Sequence, residues 1–460
     1  MRRRREGETS MQHQPRPLRR VLGLGFGLAM VFGSTVGVGI LRLPGTVAAG
    51  FGDPTLIILA WIIGGVYALM GAVAVAELAA MIPVTGGFRV FAHRAFGEGV
   101  GFAIGWVDWL FNVAALAFAS ITAVTFLGQL WPAATVHPRL CAIAVLAVFT
   151  AMHWLGLRIG ASLTALISTA IGLMFVVLIV ACFMTEPVTS AAVTVAAPAT
   201  TASPWTSMAL LLAAVPALRA VLTTYDGWYS AIYMAEESTN PARTLPRAII
   251  GGALLVTALY VLINVALLRV LPLPALAASQ LPVADAARVV LPGGGAELVT
   301  VLALLTVLSL INNVLLIAPR ILFGIGRDGL LLRAAADVSD GGTPRGALLF
   351  TSAFATLVIL SGTFEQIIAL ATVLFLTCYT SAFVAVFVLR RTDPTLLRPY
   401  RAFGYPWSTA IVLAGSLAFL VVAIAEDPRS GLVAGVFMAC CVPAYAWLAR
   451  SRRLRAAAAG

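Results

Sequence analysis

Apolar residues dominate twelve runs along the chain, at 21–48, 54–82, 99–131, 139–157, 160–184, 207–235, 247–271, 295–326, 345–363, 365–390, 408–425 and 431–449. Crossing about 30 Å of hydrocarbon takes about 20 helical residues, so the pattern predicts twelve membrane-spanning helices. An even number puts both termini on one side. Two of the runs violate their own pattern. The first carries GSTVGVGI, Gly33 to Ile40, at mid-depth. The sixth reads SMALLLAAVPALRAVLTTYDGWYSAIYMAEE, with Pro216 and then TTYDGW near its middle. Asp and Gly together are poor choices inside a continuous helix.

In hydrocarbon each unpaired backbone group costs several kcal/mol, so irregular backbone survives only where protein encloses it. The first interruption is therefore either a tight helix-packing face or the wall of a site. Gly33 and Gly37 have the GxxxG spacing of a packing face. The matching interruption five runs later favours a site, because paired broken spans in corresponding positions of two halves mark transporter binding sites. The five-plus-five repeat is read from this spacing; the halves have no visible sequence similarity. Free N–H groups at the start of one half-helix attract a carboxylate. Free carbonyls at the end of the other attract an ammonium or sodium ion. A zwitterionic amino acid satisfies both, and glycine lets backbone approach it closely.

Composition agrees with this reading. Of 460 residues, 60% are hydrophobic and 11% charged, and the mean hydropathy is +0.98, far outside the range of a soluble domain. The net charge of +11 raises nucleic acid as a partner, but its distribution argues against that. All 30 basic residues are arginine. With the N-terminus inside, 24 of them fall in inner segments and four (Arg139, Arg269, Arg288, Arg429) in outer ones, with Arg42 and Arg219 inside spans. That asymmetry is the positive-inside pattern, and it supports both the count and cytoplasmic termini. The arginine-only, alanine-rich composition points to a bacterial inner membrane. No cofactor, nucleic-acid partner or obligate protein partner is expected; the partners implied are an amino acid and the bilayer.

The organisation expected is a disordered basic tail at 1–20, five spans at 21–184, five at 207–390, two at 408–449, and a second basic tail at 450–460. The first apolar run is too long for a signal-peptide core and has no clear cleavage site. Two outer segments are long, 185–206 and 272–294, and the second is apolar enough either to cover the outer mouth or to lie as a surface loop with a short helix. Cys141, Cys182, Cys378, Cys440 and Cys441 read as free, buried thiols with no metal-binding spacing. The four histidines are scattered, and His153 reads as a packing residue or a carbonyl partner. Ser34 and Thr35 have no intramembrane base that the sequence brings near, which argues against an enzyme.

GSTVGVGILRLPG resembles the first-span signature of the amino acid–polyamine–organocation transporter superfamily. AELAAMIPVTGGFRVFAHRAFG resembles its loop between spans 2 and 3. TYDGWYSAIYMAEESTNPARTLPRAI resembles span 6 and the following loop of the L-type and serine/threonine exchanger-like branch. APRILFGIGRDG followed by GGTPRGAL resembles the connection between spans 8 and 9, and RPYRAFGYPW fits as well. The resemblance implies the leucine-transporter fold, all-α with two inverted five-helix repeats and two extra helices, and amino-acid movement by alternating access. It implies that the substrate carboxylate meets N–H groups at Gly37, Val38 and Gly39. It implies that the ammonium meets carbonyls near Thr35, Thr223, Thr224 and Asp226.

The chain departs from that pattern at three places. Val38 stands where relatives often carry a small hydroxyl residue, and Thr223 where several carry an aromatic gate. Many relatives have a lysine in span 5, near Ile171; this chain has no lysine anywhere. Sodium near Ser309 and Asn312, uncoupled exchange, or protons on Glu77, Asp108 or Asp226 are the three expectations that follow. Ionisable groups inside spans are functional candidates by default. Each also has a structural reading. Glu77 can bond loop backbone or a loop arginine, Asp108 can form a structural pair, and Asp226 can satisfy freed N–H groups. Arg42 and Arg219 lie on the outer side of the interruptions, where they either face a vestibule or extend to the headgroups. The alternative functions are a polyamine or amine permease and an amino-acid sensor that does not transport.

Overall fold

The computed structural model describes residue 18 and residues 20–187, 208–331, 333–361 and 364–459. Most of the 1–20 tail and of the 185–206 segment lies outside these residues.

Among the described residues the regular structure is helical, joined by turns and loops, apart from one isolated bridge between Leu22 and Ser238. The helices run α1 (Leu24–Thr35), α2 (Val38–Phe51), α3 (Pro54–Met81), α4 (Phe88–Phe96), α5 (Glu98–Leu130), α6 (Pro138–Leu155), α7 (Leu157–Met184) and α8 (Met208–Thr224). They continue as α9 (Pro241–Val270), α10 (Leu273–Ala278), α11 (Pro282–Val290), α12 (Gly295–Arg327), α13 (Arg345–Ser361), α14 (Phe364–Thr392), α15 (Trp407–Glu426) and α16 (Pro428–Ala459). Among the described residues nine helices are long and apolar enough to cross a membrane, or ten if α1 and α2 count as one bent span. Of the remaining apolar runs, the sixth begins as α8 and continues past Thr224 as a turn and a 3-10 segment, and the ninth forms α13, which has 17 residues.

Local sequence explains most of the boundaries. α3 begins with Pro54 after Asp53, whose carboxylate accepts from the Leu56 N–H at 3.0 Å. α9 starts at Pro241, six residues ahead of its apolar run, because the run is preceded by NPARTLP with proline in the first turn.

The bundle is organised around α5 and α12, which pack on each other, while α3 packs on α9, α1 on α9 and α7, and α2 on α8. The 272–294 segment folds as α10 and α11 and joins the bundle. Leu276, Val283, Ala286 and Ala287 are fully buried, and α11 contacts α12, α2 and α9. Membrane-facing side chains such as Leu166, Leu173, Val421 and Val442 are exposed, as hydrocarbon-solvated surfaces require. The five cysteines are free; Cys182, Cys378 and Cys441 are buried as expected, whereas Cys141 is half-buried and Cys440 is exposed on α16.

Candidate functional site

The two interrupted segments meet. α1 ends at Thr35 and α2 begins at Val38, bent from α1 by 48°. The intervening Val36 and Gly37 are extended, with φ of −78° and −120°. The first N–H groups of α2 have no intrahelical acceptors, as at any helix start, and Gly37 has no side chain to cap them. Gly37, Val38 and Gly39 are half-buried. α8 ends at Thr224, a turn spans Tyr225 to Tyr229, and a 3-10 segment follows at Ser230–Glu237.

Gly227 sits at the contact. Its φ is +112°, a conformation that favours glycine, and a methyl there would stand 2.5 Å from the Ser34 carbonyl oxygen and 2.9 Å from the Thr35 nitrogen. Gly39 faces the Thr224 side chain, which an added methyl would meet at 3.3 Å. Tyr260 of α9 ties the two segments. Its hydroxyl is 2.8 Å from the Thr35 carbonyl and 3.1 Å from the Thr224 carbonyl. The ring is fully buried between Trp61 and Tyr225, and Tyr225 in turn donates to the Trp61 carbonyl at 2.8 Å. Thr35, Thr223 and Thr224 spend their hydroxyls on their own helices, bonding the carbonyls of Val31, Arg219 and Ala220. What they offer at the interruption is backbone.

A polar network secures the other side of α1. Ser309 donates to the Gly33 carbonyl at 3.2 Å, and Ser168 to the Ala29 carbonyl at 2.8 Å. The Asn313 amide donates to the Ser34 hydroxyl at 3.1 Å and accepts from Thr164 at 2.8 Å. Asn312 donates to Thr164 and to the Gly160 carbonyl, and its carbonyl meets the His153 ring nitrogen at 2.9 Å. A side chain at Gly33 would collide with Ser168, Ser309 and Asn313, so glycine is needed there for close approach.

The candidate acids separate. Asp226 stays at the interruption and accepts from the Tyr379 hydroxyl of α14. It borders a cavity of about 40 Å³ lined also by Tyr67, Gly71, Trp228, Phe375 and Ser416, room enough for water. Asp108 is buried in α5 and accepts from the Tyr233 hydroxyl at 2.8 and 3.0 Å and from Asn112 at 3.1 Å. Glu77 lies away from the interruption. Arg390 donates to both its oxygens at 2.9 and 2.5 Å, the Ala402 N–H donates at 2.6 Å, and Arg398 is 3.5 Å away. Its loop-and-arginine reading is the one realised. Arg219 pairs with Glu426 at the end of α15, both about half exposed, and Arg42 is exposed on α2.

Sequence reasoning missed Tyr260, Ser168, Thr164 and Asn313. The α7 side chain that reaches Gly33 is Ser168, one turn before Ile171, and Ile171 itself is buried. His153 is buried and meets the side-chain carbonyl of Asn312, in keeping with its reading as a packing residue or carbonyl partner. The signal available was the polar set Thr164, Ser168, Ser309, Asn312 and Asn313 inside otherwise apolar runs, on two helices that face the same glycine.

The model of the family described as Amino acid permease matches residues 27–447. The serine/threonine exchanger SteT of Bacillus subtilis is 27% identical over 436 residues, covering 91% of this chain and 94% of that protein. The human b(0,+)-type amino acid transporter 1 is 28% identical over 438 residues, covering 92% and 87% respectively. With a family match across nearly its whole length, the chain belongs to the amino acid permease family.

Proposed function

We propose that this permease carries its amino-acid substrate at the junction of α1, α2 and α8, by alternating access. The observation that carries the reading is the seating of Gly227 on the Ser34–Thr35 backbone. It brings the uncapped N-terminus of α2 and the C-termini of α1 and α8, whose carbonyls keep a second lone pair beside the Tyr260 hydroxyl, to one place. The carboxylate lies at the N–H groups of Gly37, Val38 and Gly39, where the helix dipole favours negative charge. The ammonium lies at the carbonyls of Thr35, Thr223 and Thr224, with Asp226 beside them. The similarity to a serine/threonine exchanger and to a b(0,+)-type amino acid transporter supports an amino-acid substrate.

In this reading all twelve apolar runs span a bacterial inner membrane. Residues 21–184 and 207–390 form inverted repeats, 408–449 add two spans, and both termini face the cytoplasm. The arginine distribution supports that orientation. Ser309 holds α1 through the Gly33 carbonyl, and Asn312 ties α12 to α7 and α6 through Gly160, Thr164 and His153, in place of contacts to substrate.

Thermal stabilisation of purified protein tests the two-ended recognition. Free amino acids raise the melting temperature, whereas their methyl esters and the matching decarboxylated amines do not. Asp226 supports one competing reading, an amine permease, because its carboxylate has no arginine partner among the described residues. Stabilisation by the amines at equal concentration favours that reading instead.

A further inference from the structure

α1, α7 and α9 leave a groove between them on the membrane-facing side of the bundle, where Leu173, Val176, Leu255 and Leu262 are exposed. The three helices run in the same direction. Gly27 faces Ala248 and Gly251 faces Leu28, while Ser168 donates to the Ala29 carbonyl at 2.8 Å and Gly172 faces Phe32. The groove holds about 600 Å³ and extends from Gly25 to Phe32 on α1, from Ser168 to Val180 on α7 and from Leu255 to Leu262 on α9. Glycine opens it. A side chain at Gly25 would meet nothing within 4 Å, and one at Gly172 only the edge of the Phe32 ring, at 3.7 Å. Apart from Ser168 and Thr169 the lining is apolar, and both hydroxyls are already bonded to backbone carbonyls. The α7 wall rises about 18 Å at 1.5 Å per residue, close to one leaflet of a hydrocarbon core about 30 Å thick.

The end of the groove at Gly25 is basic. Arg247 adjoins Ala248, at the level of Gly27, and by helical spacing shares the α9 face of Gly251, Leu255 and Leu262. Arg243 lies one turn earlier. Backbone bonds bring Arg20 to the same place. The Val21 and Leu22 N–H groups donate to the Glu237 carbonyl at 2.9 Å, and the Thr239 N–H donates to the Leu22 carbonyl at 3.0 Å. That pairing lays the entry to α1 against the residues that lead into α9. All three arginines are exposed, and none has an ion-pair partner among the described residues. The acids nearest this end are committed elsewhere, Glu236 to Arg327 at 2.7 Å and Glu237 to Arg320 at 2.9 Å.

We propose that this groove is a binding site for an anionic phospholipid, with one acyl chain laid along α1 between α7 and α9 and the phosphate held by Arg20, Arg243 and Arg247. Length, polarity and charge all fit. The groove is one leaflet deep, its walls offer no free polar group to the chain, and its basic end lies where the headgroup would be. A basic pocket between membrane helices selects acidic headgroups, and the guanidinium fork binds phosphate oxygens two at a time. The chain supplies the dispersion contacts that glycine leaves unmade along the groove. A seated lipid thereby braces α1, whose far end forms the junction with α8.

Thermal melts of purified protein in dodecylmaltoside test this, with palmitoyl-oleoyl phosphatidylglycerol, the matching phosphatidylcholine or inorganic phosphate added. Phosphatidylglycerol raises the melting temperature saturably. Its half-saturating concentration lies at least about tenfold below that of phosphatidylcholine, since each basic residue near the surface adds about fivefold. Inorganic phosphate gives no shift. Arg20→Gln/Arg243→Gln/Arg247→Gln loses the difference between the two lipids. Arg391→Gln/Arg401→Gln, at exposed positions outside the groove, keeps it. Gly172→Leu fills the groove and weakens both lipids by about tenfold or more. Equal stabilisation of the wild type by both lipids, or by neither, overturns the proposal. An equal loss in the Arg391/Arg401 variant reduces the effect to general surface charge and overturns the site. A full response in Gly172→Leu overturns the groove as the seat of the chain. The same stabilisation by inorganic phosphate, or a dimer in detergent that no lipid affects, assigns the face to a free anion or a second copy and overturns it as well. Native mass spectrometry of the wild type decides the matter if a variant fails to fold. Retention of phosphatidylglycerol over phosphatidylcholine from an equimolar mixed micelle is expected, and equal retention contradicts the proposal.

Discussion

Gly227 rests on the carbonyl of Ser34, and no side chain fits between them. The contact joins two segments nearly 200 positions apart in the chain and sets where their free helix ends meet. A glycine here meets two demands at once, positive φ and zero bulk. Gly227→Ala is expected to abolish substrate-dependent thermal stabilisation and to cut transport by at least about tenfold, since overpacking and strain of this kind cost about 1–3 kcal/mol. Normal transport by this variant would mean that the two interruptions do not form one site.

Tyr260 is the second tie between the segments. Its hydroxyl lies within bonding distance of carbonyls on both. Tyr260→Phe keeps the buried ring against Trp61 and Tyr225 and removes only the donor. The loss of one buried hydrogen bond is worth about 1 kcal/mol, with more if a carbonyl is left unpaired. Transport is expected to fall about five- to thirtyfold, while the melting temperature of the substrate-free protein changes little. A matched fall in both would make Tyr260 a packing residue alone.

Much of this architecture can be read from the chain because hydrocarbon is an unforgiving solvent. Apolar runs mark helices, and the two places where glycine, aspartate and threonine invade them mark the interruptions. Gly37 and Thr224 were legible for that reason. Tyr260 was not, because one tyrosine in an apolar run carries no label for the carbonyls it will meet 36 and 225 positions away. Glu77 and Asp108 look alike in the sequence, yet one meets arginines at the end of α14 and in the loop after it, and the other meets a tyrosine. Burial and partner decide their chemistry, and both are set by tertiary packing. Arg219 shows the same limit: its place one turn before the second interruption is readable, and its pairing with Glu426 is not.

Glu237 and Arg320 are bound to each other in full burial, at the end of the bundle where the Val21 and Leu22 N–H groups both donate to the Glu237 carbonyl at 2.9 Å. Removing one partner strands a charge, whereas removing both does not. Glu237→Gln and Arg320→Met are each expected to cost about 3–5 kcal/mol of stability, and the double variant distinctly less than their sum. A thermal-melt double-mutant cycle reads the coupling. Additive losses would show that the pair does not act as a unit.

The most direct measurement of the central claim follows a labelled amino-acid mixture into liposomes carrying purified protein, either empty or preloaded with unlabelled amino acids. The wild type is expected to take up label, fastest into preloaded vesicles, and Gly227→Ala is expected to fail in both. Wild-type protein that takes up no label into either set of vesicles, while still folded by thermal melt, would contradict the account.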